Sequence, residues 1–348
     1  GLIYLIIFLI ILKWLLRLLD LHRQLKQPVV YLELTPPAYK DKVPVATEQL
    51  YMVLHGLEKT RTSLEKLLDH TIVMTAEVTA SLDSGIRFVL RVSKEDKAVF
   101  LQNLHSYLPD VKIKQIKDYL RPKAGLRTKL LTFRQTNHWA YPLKPYNSLT
   151  QQDPIAYKVG SMTKLEPGEQ LIYQLVISPA RLPEAKRLDK KILANMDVRE
   201  VIKPYHRASA ALGWLGVIIR LPFIVVGAVF HVLFSDHSHE QPIVVYRGNA
   251  SSKAEQDLVM TLHDKLSQPL FRVSIRAFIQ STDAEREKQR VKGIRSALTA
   301  FDVPNHQSLQ SKRGILGSLA QKYRFFMFRN RLPAILHSRS NVLSSAEL

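Results

Sequence analysis

Apolar positions recur along the chain with two periods, and their succession gives an order of elements. After an uninterrupted apolar run over residues 1–12, Val29–Leu34 reads as a short strand closed by Thr35-Pro36-Pro37. Leu50, Val53, Leu54, Leu57, Leu64, Leu67 and Leu68 share one face of a helix within 46–68. Ile72–Thr79 alternates, the turn Leu82-Asp83-Ser84-Gly85 follows, and Ile86, Phe88, Leu90 and Val92 alternate against Arg87 and Arg91. These two strands form a hairpin. Ser93 caps a helix whose apolar face is Leu101, Leu104 and Leu108, and Val111–Tyr119 alternates again. Strand, helix, strand, strand, helix, strand is the split βαβ, ferredoxin-like order, a superfold that by itself says nothing of function.

The second half repeats this order with an interruption. Lys129–Gln135 and Glu169–Ser178 read as strands, with a helix over Asp153–Lys164 between them and another over Leu182–Ile202. Ser252 and Glu255 form a capping box that opens a helix to Ser267. Leu270–Gln280 alternates strongly, Asp283–Phe301 is helical, and His306–Lys312 is a last strand. The expected fold class is therefore α+β: an N-terminal transmembrane helix, then two ferredoxin-like (split βαβ) domains, the second interrupted by an apolar helical insert. The expected divisions are an anchor over 1–28, a first domain over 29–125, a second domain in two pieces (126–207 and 241–314), the insert over 208–240, and a basic linker over 315–348.

The anchor follows from the first segment. Residues 1–12 carry no charge, and Lys13, Trp14 and Arg17 stand where a helix would leave the hydrocarbon. A span needs about 20 residues, so part of this helix is expected upstream of Gly1. Lys13, Arg17, Arg23 and Lys26 follow with Asp20 alone opposing them, which assigns the following side to the cytoplasm. A signal peptide has the opposite arrangement, with its charges before the apolar core. The insert, centred on Ala210–Phe234, has Arg220 and Pro222 near its middle. A single crossing there is disfavoured; of a kinked span, a membrane-associated hairpin and a buried helix pair, the membrane-associated hairpin is favoured, so 208–240 is expected to be a membrane-associated insert. Ser344 and Ser345 look like the N-cap of a helix cut at the end of the chain, so a fragment is expected.

Composition narrows the chemistry. Fifty Lys+Arg against thirty Asp+Glu leave 348 residues with a net charge of +20, and there is no cysteine. That excludes disulfides, cysteine-ligated metal and a thiol nucleophile, and it points to a polyanionic partner. No glycine is followed by lysine, so there is no phosphate loop; G-x-S-x-G, H-E-x-x-H and G-x-G-x-x-G are absent too. No catalytic, cofactor-binding or metal residue is assigned. In the stretch His231…Asp236-His237-Ser238-His239-Glu240, His237 and His239 could chelate with a carboxylate, but the stretch reads more simply as a polar, solvated exit from the insert. Glu166 and Glu169 flank Pro167-Gly168 and read as a turn.

Two basic runs remain as phosphate- or lipid-contacting candidates. The first comprises Lys112, Lys114, Lys117, Arg121, Lys123, Arg127, Lys129 and Arg134, continuing to Lys144, with Trp139, Tyr141 and Tyr146 nearby. The second contains Lys322, Arg324, Arg329 and Arg331, interleaved with Tyr323, Phe325, Phe326 and Phe328 and flanked by Lys312, Arg313 and Arg339. Cations among aromatics suit phosphate contact with base stacking, and equally an anionic leaflet.

Several strings carry a family resemblance. Tyr31-Leu-Glu-Leu-Thr-Pro-Pro37, Thr47-Glu-Gln-Leu50, Gly85-Ile-Arg87, Tyr107-Leu-Pro109, Lys164-Leu-Glu-Pro-Gly-Glu169, Ser267-Gln-Pro-Leu-Phe271 and Ala300-Phe301 resemble, in order and spacing, the N-terminal region of membrane-anchored type IV secretion or conjugation ATPases of the HerA–FtsK kind. The resemblance implies the anchoring and assembly region of a hexameric motor that moves DNA or protein at the bacterial inner membrane, with its soluble domains in the cytoplasm. It implies DNA and other secretion-system components as partners. ATP and Mg would belong to a motor beyond Leu348, so the resemblance brings no catalytic residue to this chain. A non-enzymatic membrane adaptor that binds nucleic acid or anionic lipid is the alternative.

Overall fold

The computed structural model describes residues 2–36, 45–62, 65, 70–120, 125–145, 162–194, 198, 202, 253–311, 317–334 and 341–348. Helices α1 (Leu2–Lys26), α2 (Val45–Thr60), α3 (Lys97–Tyr107), α4 (Pro183–Leu193), α5 (Lys253–Ser267), α6 (Ala284–Thr299) and α7 (Gly317–Arg329) accompany nine strands. These are β1 (Val29–Thr35), β2 (Met74–Ser81), β3 (Gly85–Ser93), β4 (Lys112–Ile116), β5 (Arg127–Gln135), β6 (Gln170–Pro179), β7 (Leu270–Ser281), β8 (Leu309–Ser311) and β9 (Asn341–Ser344).

All nine strands belong to one antiparallel sheet in the order β4-β1-β3-β2-β6-β7-β5-β8, with β9 also on β7. Read from either edge, each half has the order fourth, first, third, second of its own strands. The two halves are nevertheless not separate domains. β2 and β6 pair over eight residues, from Met74 opposite Ile177 to Ser81 opposite Gln170, and the core runs through both halves without a break. The α+β class stands, but the expected pair of domains is corrected to a single sheet. β6 is largely apolar on both faces, with a burial pattern that suits a central strand rather than an edge. Pairing β2 with β6 removes two edges that would otherwise invite aggregation.

Strand alternation divides the sheet into two faces. One face presents Val30, Leu32, Met74, Ala80, Leu90, Val92, Leu171, Tyr173, Ile177 and the odd positions of β7. It is covered by α2 through Leu50 and Leu54, by α3 through Phe100 and Leu104, and by α6 through Ile294 and Leu298. Local signals place these helices. Gly85 takes φ +62 at the β2–β3 turn, and the Asp283 side chain accepts from the Arg286 N–H at 2.8 Å to cap α6. Helices α4 and α5 pack together around Ile192, Leu262 and Leu266, against Leu270 and Val342.

Among the described residues no helix is long and apolar enough to cross a membrane, which overturns the expected N-terminal transmembrane helix. The second half of α1 is fastened to the fold by polar bonds instead. Asp20 and Gln24 are buried. Asp20 accepts from Gln24 at 2.7 Å and from the Thr71 N–H at 3.2 Å. Arg23 donates to the Thr71 carbonyl at 3.1 Å, and Arg17 reaches the Ala334 carbonyl at 3.5 Å. Two of the charges expected to mark a membrane exit, Arg17 and Arg23, are thus contacts to the domain.

The basic linker expected over 315–348 is also corrected, because its described parts complete the fold. α7 covers the second sheet face through Phe325 and Phe328, which pack on Phe278, Ile172 and Leu130. β9 extends the sheet along β7. Asn341 joins β9 to β5: it accepts from the Gln135 N–H at 2.8 Å and donates to the Phe133 and Val273 carbonyls at 3.1 and 3.2 Å. Beyond it, Glu347 accepts from the Leu143 and Ser344 N–H groups at 2.6 and 2.7 Å. It also pairs with buried Lys265 of α5 at 3.1 Å. The insert over 208–240 and the helix expected over Asp153–Lys164, up to residue 161, lie outside the described residues.

Candidate nucleic-acid interface

Directly opposed residues of antiparallel strands share a face. Register therefore strings Lys114, Glu33, Val89, Glu77, Gln174, Arg276 and Thr132 into one row across seven strands, on the face opposite α2, α3 and α6. Apart from Val89 the row is polar. Its middle is nonetheless buried: Glu77, Gln174 and Arg276 are each at most 5% exposed. The end of α7 and the turn after it cover them.

That turn is set by an arginine in the left-handed region. Arg331 has φ 53; its N–H bonds the Phe328 carbonyl at 3.0 Å and the Leu332 N–H bonds the Met327 carbonyl at 2.9 Å. These two bonds form a Schellman cap with Arg331 where glycine is usual. The backbone conformation costs a non-glycine residue about 1–2 kcal/mol, and the side chain supplies the compensation. Arg331 is 1% exposed. Its Nε lies 3.2 Å from both Glu77 oxygens, and its Nη1 and Nη2 donate to the two oxygens of Asp118 at 3.0 and 2.8 Å. The guanidinium lies 4.7 Å from the Tyr31 ring centroid and 5.5 Å from that of Tyr119. The Tyr119 hydroxyl donates to Glu77, as does Gln174 Nε2 at 2.7 Å. Arg276 closes the cluster with bonds to Gln174 and to the Met327 and Leu332 carbonyls at 2.9, 3.1 and 2.6 Å.

The electrostatics follow from these contacts. Burial opposes charge on Arg331, but Glu77 and Asp118 outweigh it and hold the guanidinium more firmly protonated than usual. Burial would raise the Asp118 carboxyl, yet the bonds from Arg331 and the Leu120 N–H keep it below the ordinary carboxylate range. Burial and the Glu77 carboxylate push the Tyr119 hydroxyl well up. Arg276, whose hydrogen-bond partners here are all neutral, is lowered by burial to about 10.

The basic candidates divide around this cluster. Arg331 is no surface contact but the buried fastening beneath the surface, and this corrects its assignment. Lys112 and Lys114 are exposed on edge strand β4, on the same face as the row, and Lys117 is exposed just after it. Lys322 and Arg329 are exposed on α7, with Arg324 half-buried. Arg331 binds both the Arg329 carbonyl and Asp118, which follows Lys117. Two basic segments some two hundred residues apart in sequence therefore meet on one face.

Of the other members of the first run, the described ones, Arg127, Lys129 and Arg134, stand apart from them. Arg127 and Lys129 lie on the opposite face and pair with Glu287 of α6 at 3.2 and 3.8 Å. Six strand spacings separate β5 from β4, about 30 Å. Arg134 is half-buried on β5, and Arg121 and Lys123 lie outside the described residues. Among the flanking aromatics, Trp139 and Tyr141 pack against the α4–α5 cluster. Phe325 and Phe328 are committed to the sheet, whereas Tyr323 and Phe326 are 43% and 44% exposed.

The other candidate chemistry is structural or out of view. Glu169 is gripped by Arg286 at 2.7 Å and Arg290 at 3.2 Å, and Glu166 pairs with the same Arg286 at 2.7 Å. These two carboxylates fasten the turn before β6. The histidines at 231, 237 and 239 lie outside the described residues, and among the described residues no three His, Asp or Glu side chains gather to hold a metal. The Glu77–Asp118–Tyr119–Arg331 cluster is what sequence reasoning missed. Its members are ordinary polar positions on alternating strands, which look the same under a covering helix as under water.

Fold and face together define an α+β sheet domain with α2, α3 and α6 on one face and α7, with its exposed cations, on the other. The chain belongs to the family described as Domain of unknown function (DUF8128), whose model matches residues 19–313. α7, Arg331 and β9 follow that stretch and complete its sheet. No curated protein matches the chain.

Proposed function

We propose that the chain is a non-catalytic assembly platform, of the kind the secretion- and conjugation-ATPase resemblance implies, and that its basic sheet face contacts nucleic acid. The observation that carries this reading is that Arg331 ties the Arg329 carbonyl to Asp118, next to Lys117, so that the segment with Lys112, Lys114 and Lys117 and the helix with Lys322 and Arg329 share one face. A net charge of +20 supplies the long-range attraction. Phosphate contacts of this kind release counterions, so affinity falls steeply with salt.

The experiment is fluorescence anisotropy of the full chain with a labelled oligonucleotide across a salt series. Neutralising five phosphates of a single strand corresponds to a log–log slope of about −3.5. Reversing Lys114, Lys322 and Arg329 to Glu should flatten that slope by about 2. Binding that is absent at low salt, or that ignores the reversals, rejects the reading. A second reading, contact with an anionic lipid surface, is favoured by the exposed apolar side chains of α1, Tyr4, Phe8 and Ile11; vesicle co-sedimentation in place of oligonucleotide binding would select it.

A further inference from the structure

The exposed side of α7 carries more than charge. Helical spacing places Lys322, Phe326 and Arg329 in one line at i, i+4 and i+7, with Tyr323 beside it. Phe326 therefore stands about one turn from a cation in either direction. The opposite side of the helix is fixed: Phe328 stacks on Phe278 with centroids 5.2 Å apart, Phe325 leans on both, and the Schellman turn and Arg331 lock the end. The helix thus offers the Phe326 ring, with a cation on either side, on a rigid base.

We infer that this side of α7 is a stacking platform for single-stranded nucleic acid, an inference that rests on the polyanion-binding reading above and sharpens it. A duplex keeps its base faces stacked inside and offers phosphates and groove edges, which Lys322 and Arg329 alone can meet. An unpaired base offers a free π-face, and stacking on an aromatic ring tolerates any sequence. A ring flanked by cations one turn away on each side contacts a base and its neighbouring phosphates together. The same line of residues would give an acidic protein surface its charge complement, but it would leave the Phe326 ring facing a polar surface that has no use for it.

The test compares a labelled oligothymidine of about 20 nucleotides, longer than the ~4–16 that one binding fold covers, with a duplex of equal length, using the full chain. The single strand should bind about tenfold tighter. Phe326→Ala should weaken single-strand binding about tenfold, leave duplex affinity and the salt slope unchanged, and be rescued by Phe326→Trp but not by Phe326→Leu. Because Phe326 is 44% exposed, its replacement leaves the core intact, and an unchanged thermal midpoint checks this. Equal affinity for strand and duplex, with Phe326→Ala silent, would overturn the stacking platform and leave the polyanion reading standing. Failure to bind either oligonucleotide would overturn both, as would binding only to vesicles rich in phosphatidylserine.

Discussion

Arg331 and Asp118, 213 residues apart in sequence, meet through paired hydrogen bonds of 3.0 and 2.8 Å. The same guanidinium faces Glu77 from the other side, so one side chain from the turn after α7 binds a carboxylate on β2 and another beyond β4. The two carboxylates differ in setting: the Glu77 side chain is 1% exposed and that of Asp118 47%. Removing the arginine would leave Glu77 charged and enclosed, while Asp118 could rehydrate.

Arg331→Met should therefore destabilise the fold by about 3–5 kcal/mol, the usual effect of stranding a buried charge. Arg331→Lys keeps the charge but loses the fork geometry and should fall between the two. Adding Glu77→Gln to Arg331→Met should recover part of the loss, because no enclosed charge then remains. Urea unfolding of the two single variants and the double variant measures the coupling. Strictly additive effects would mean that the Glu77 contact contributes nothing.

How much of this could be read from the sequence differs by layer. Periodicity placed β1–β4 with α2 and α3 correctly in type and order, because Leu50, Leu54, Phe100 and Leu104 face an alternating apolar sheet surface. It could not show that β2 pairs with β6, since alternation specifies a strand's faces and not its neighbour. α7 was hidden for a related reason. Its core side is Phe325, Met327 and Phe328 among arginines, which fits a basic aromatic linker as well as a helix. Arg331 misled because charge alone argues for the surface. The αL turn and the two carboxylates, one on β2 and one beyond β4, that pair with it are tertiary facts. The apolar start of the chain suggested a span because local hydropathy carries no record of Asp20 and Arg23 docking on Thr71.

Glu169 makes the turn before β6 sensitive to acid. Burial would raise its carboxyl, but Arg286, the Glu166 N–H and Arg290 lower it from 4.5 to about 2. A carboxylate depressed in the folded state contributes its full stability above its ordinary value and loses it as pH falls towards the folded value. The contribution should thus disappear between about pH 4.5 and about pH 2. Glu169→Gln should be less stable than the parent at neutral pH and lose less on acidification. Thermal midpoints across that window check it; parallel curves for parent and variant would remove Glu169 from the acid response.

His138 adds a second slope at higher pH. Burial, then the nearby Lys265, lowers its imidazole from 6.5 to about 4. Here the unfolded chain takes up a proton that the folded chain refuses, so stability rises with pH from about 4 to about 6.5 and is level above. Its Nδ1 accepts from the Ala140 N–H at 3.3 Å, a role that Asn can approximate. His138→Asn should flatten the rise between these values without changing the slope below about pH 4. A rise as steep in the variant as in the parent would assign it to another group.

Asn341 tests whether the last strand is integral to the sheet. β9 pairs only with the first residues of β7, from Leu270 opposite Ser344 to Val273 opposite Asn341, while β5 pairs with the rest of β7. β5 and β9 therefore lie end to end along one neighbour, and the junction would leave backbone groups without ladder partners. The Asn341 side chain fills that place: one acceptor for the Gln135 N–H and two donors for the Phe133 and Val273 carbonyls. Asn341→Ala strands three buried backbone groups, each worth about 1–3 kcal/mol when unsatisfied, so a loss of about 3 kcal/mol or more is expected. Asn341→Asp keeps the acceptor and loses both donors, and it should be no better because the new charge faces two carbonyl oxygens. Amide exchange at Gln135 gives the local readout: its protection should fall more than that of Leu131 in the same strand. Unchanged protection at Gln135, with an unchanged urea midpoint, would mean that β5 and β9 hold their places on β7 without the bridge.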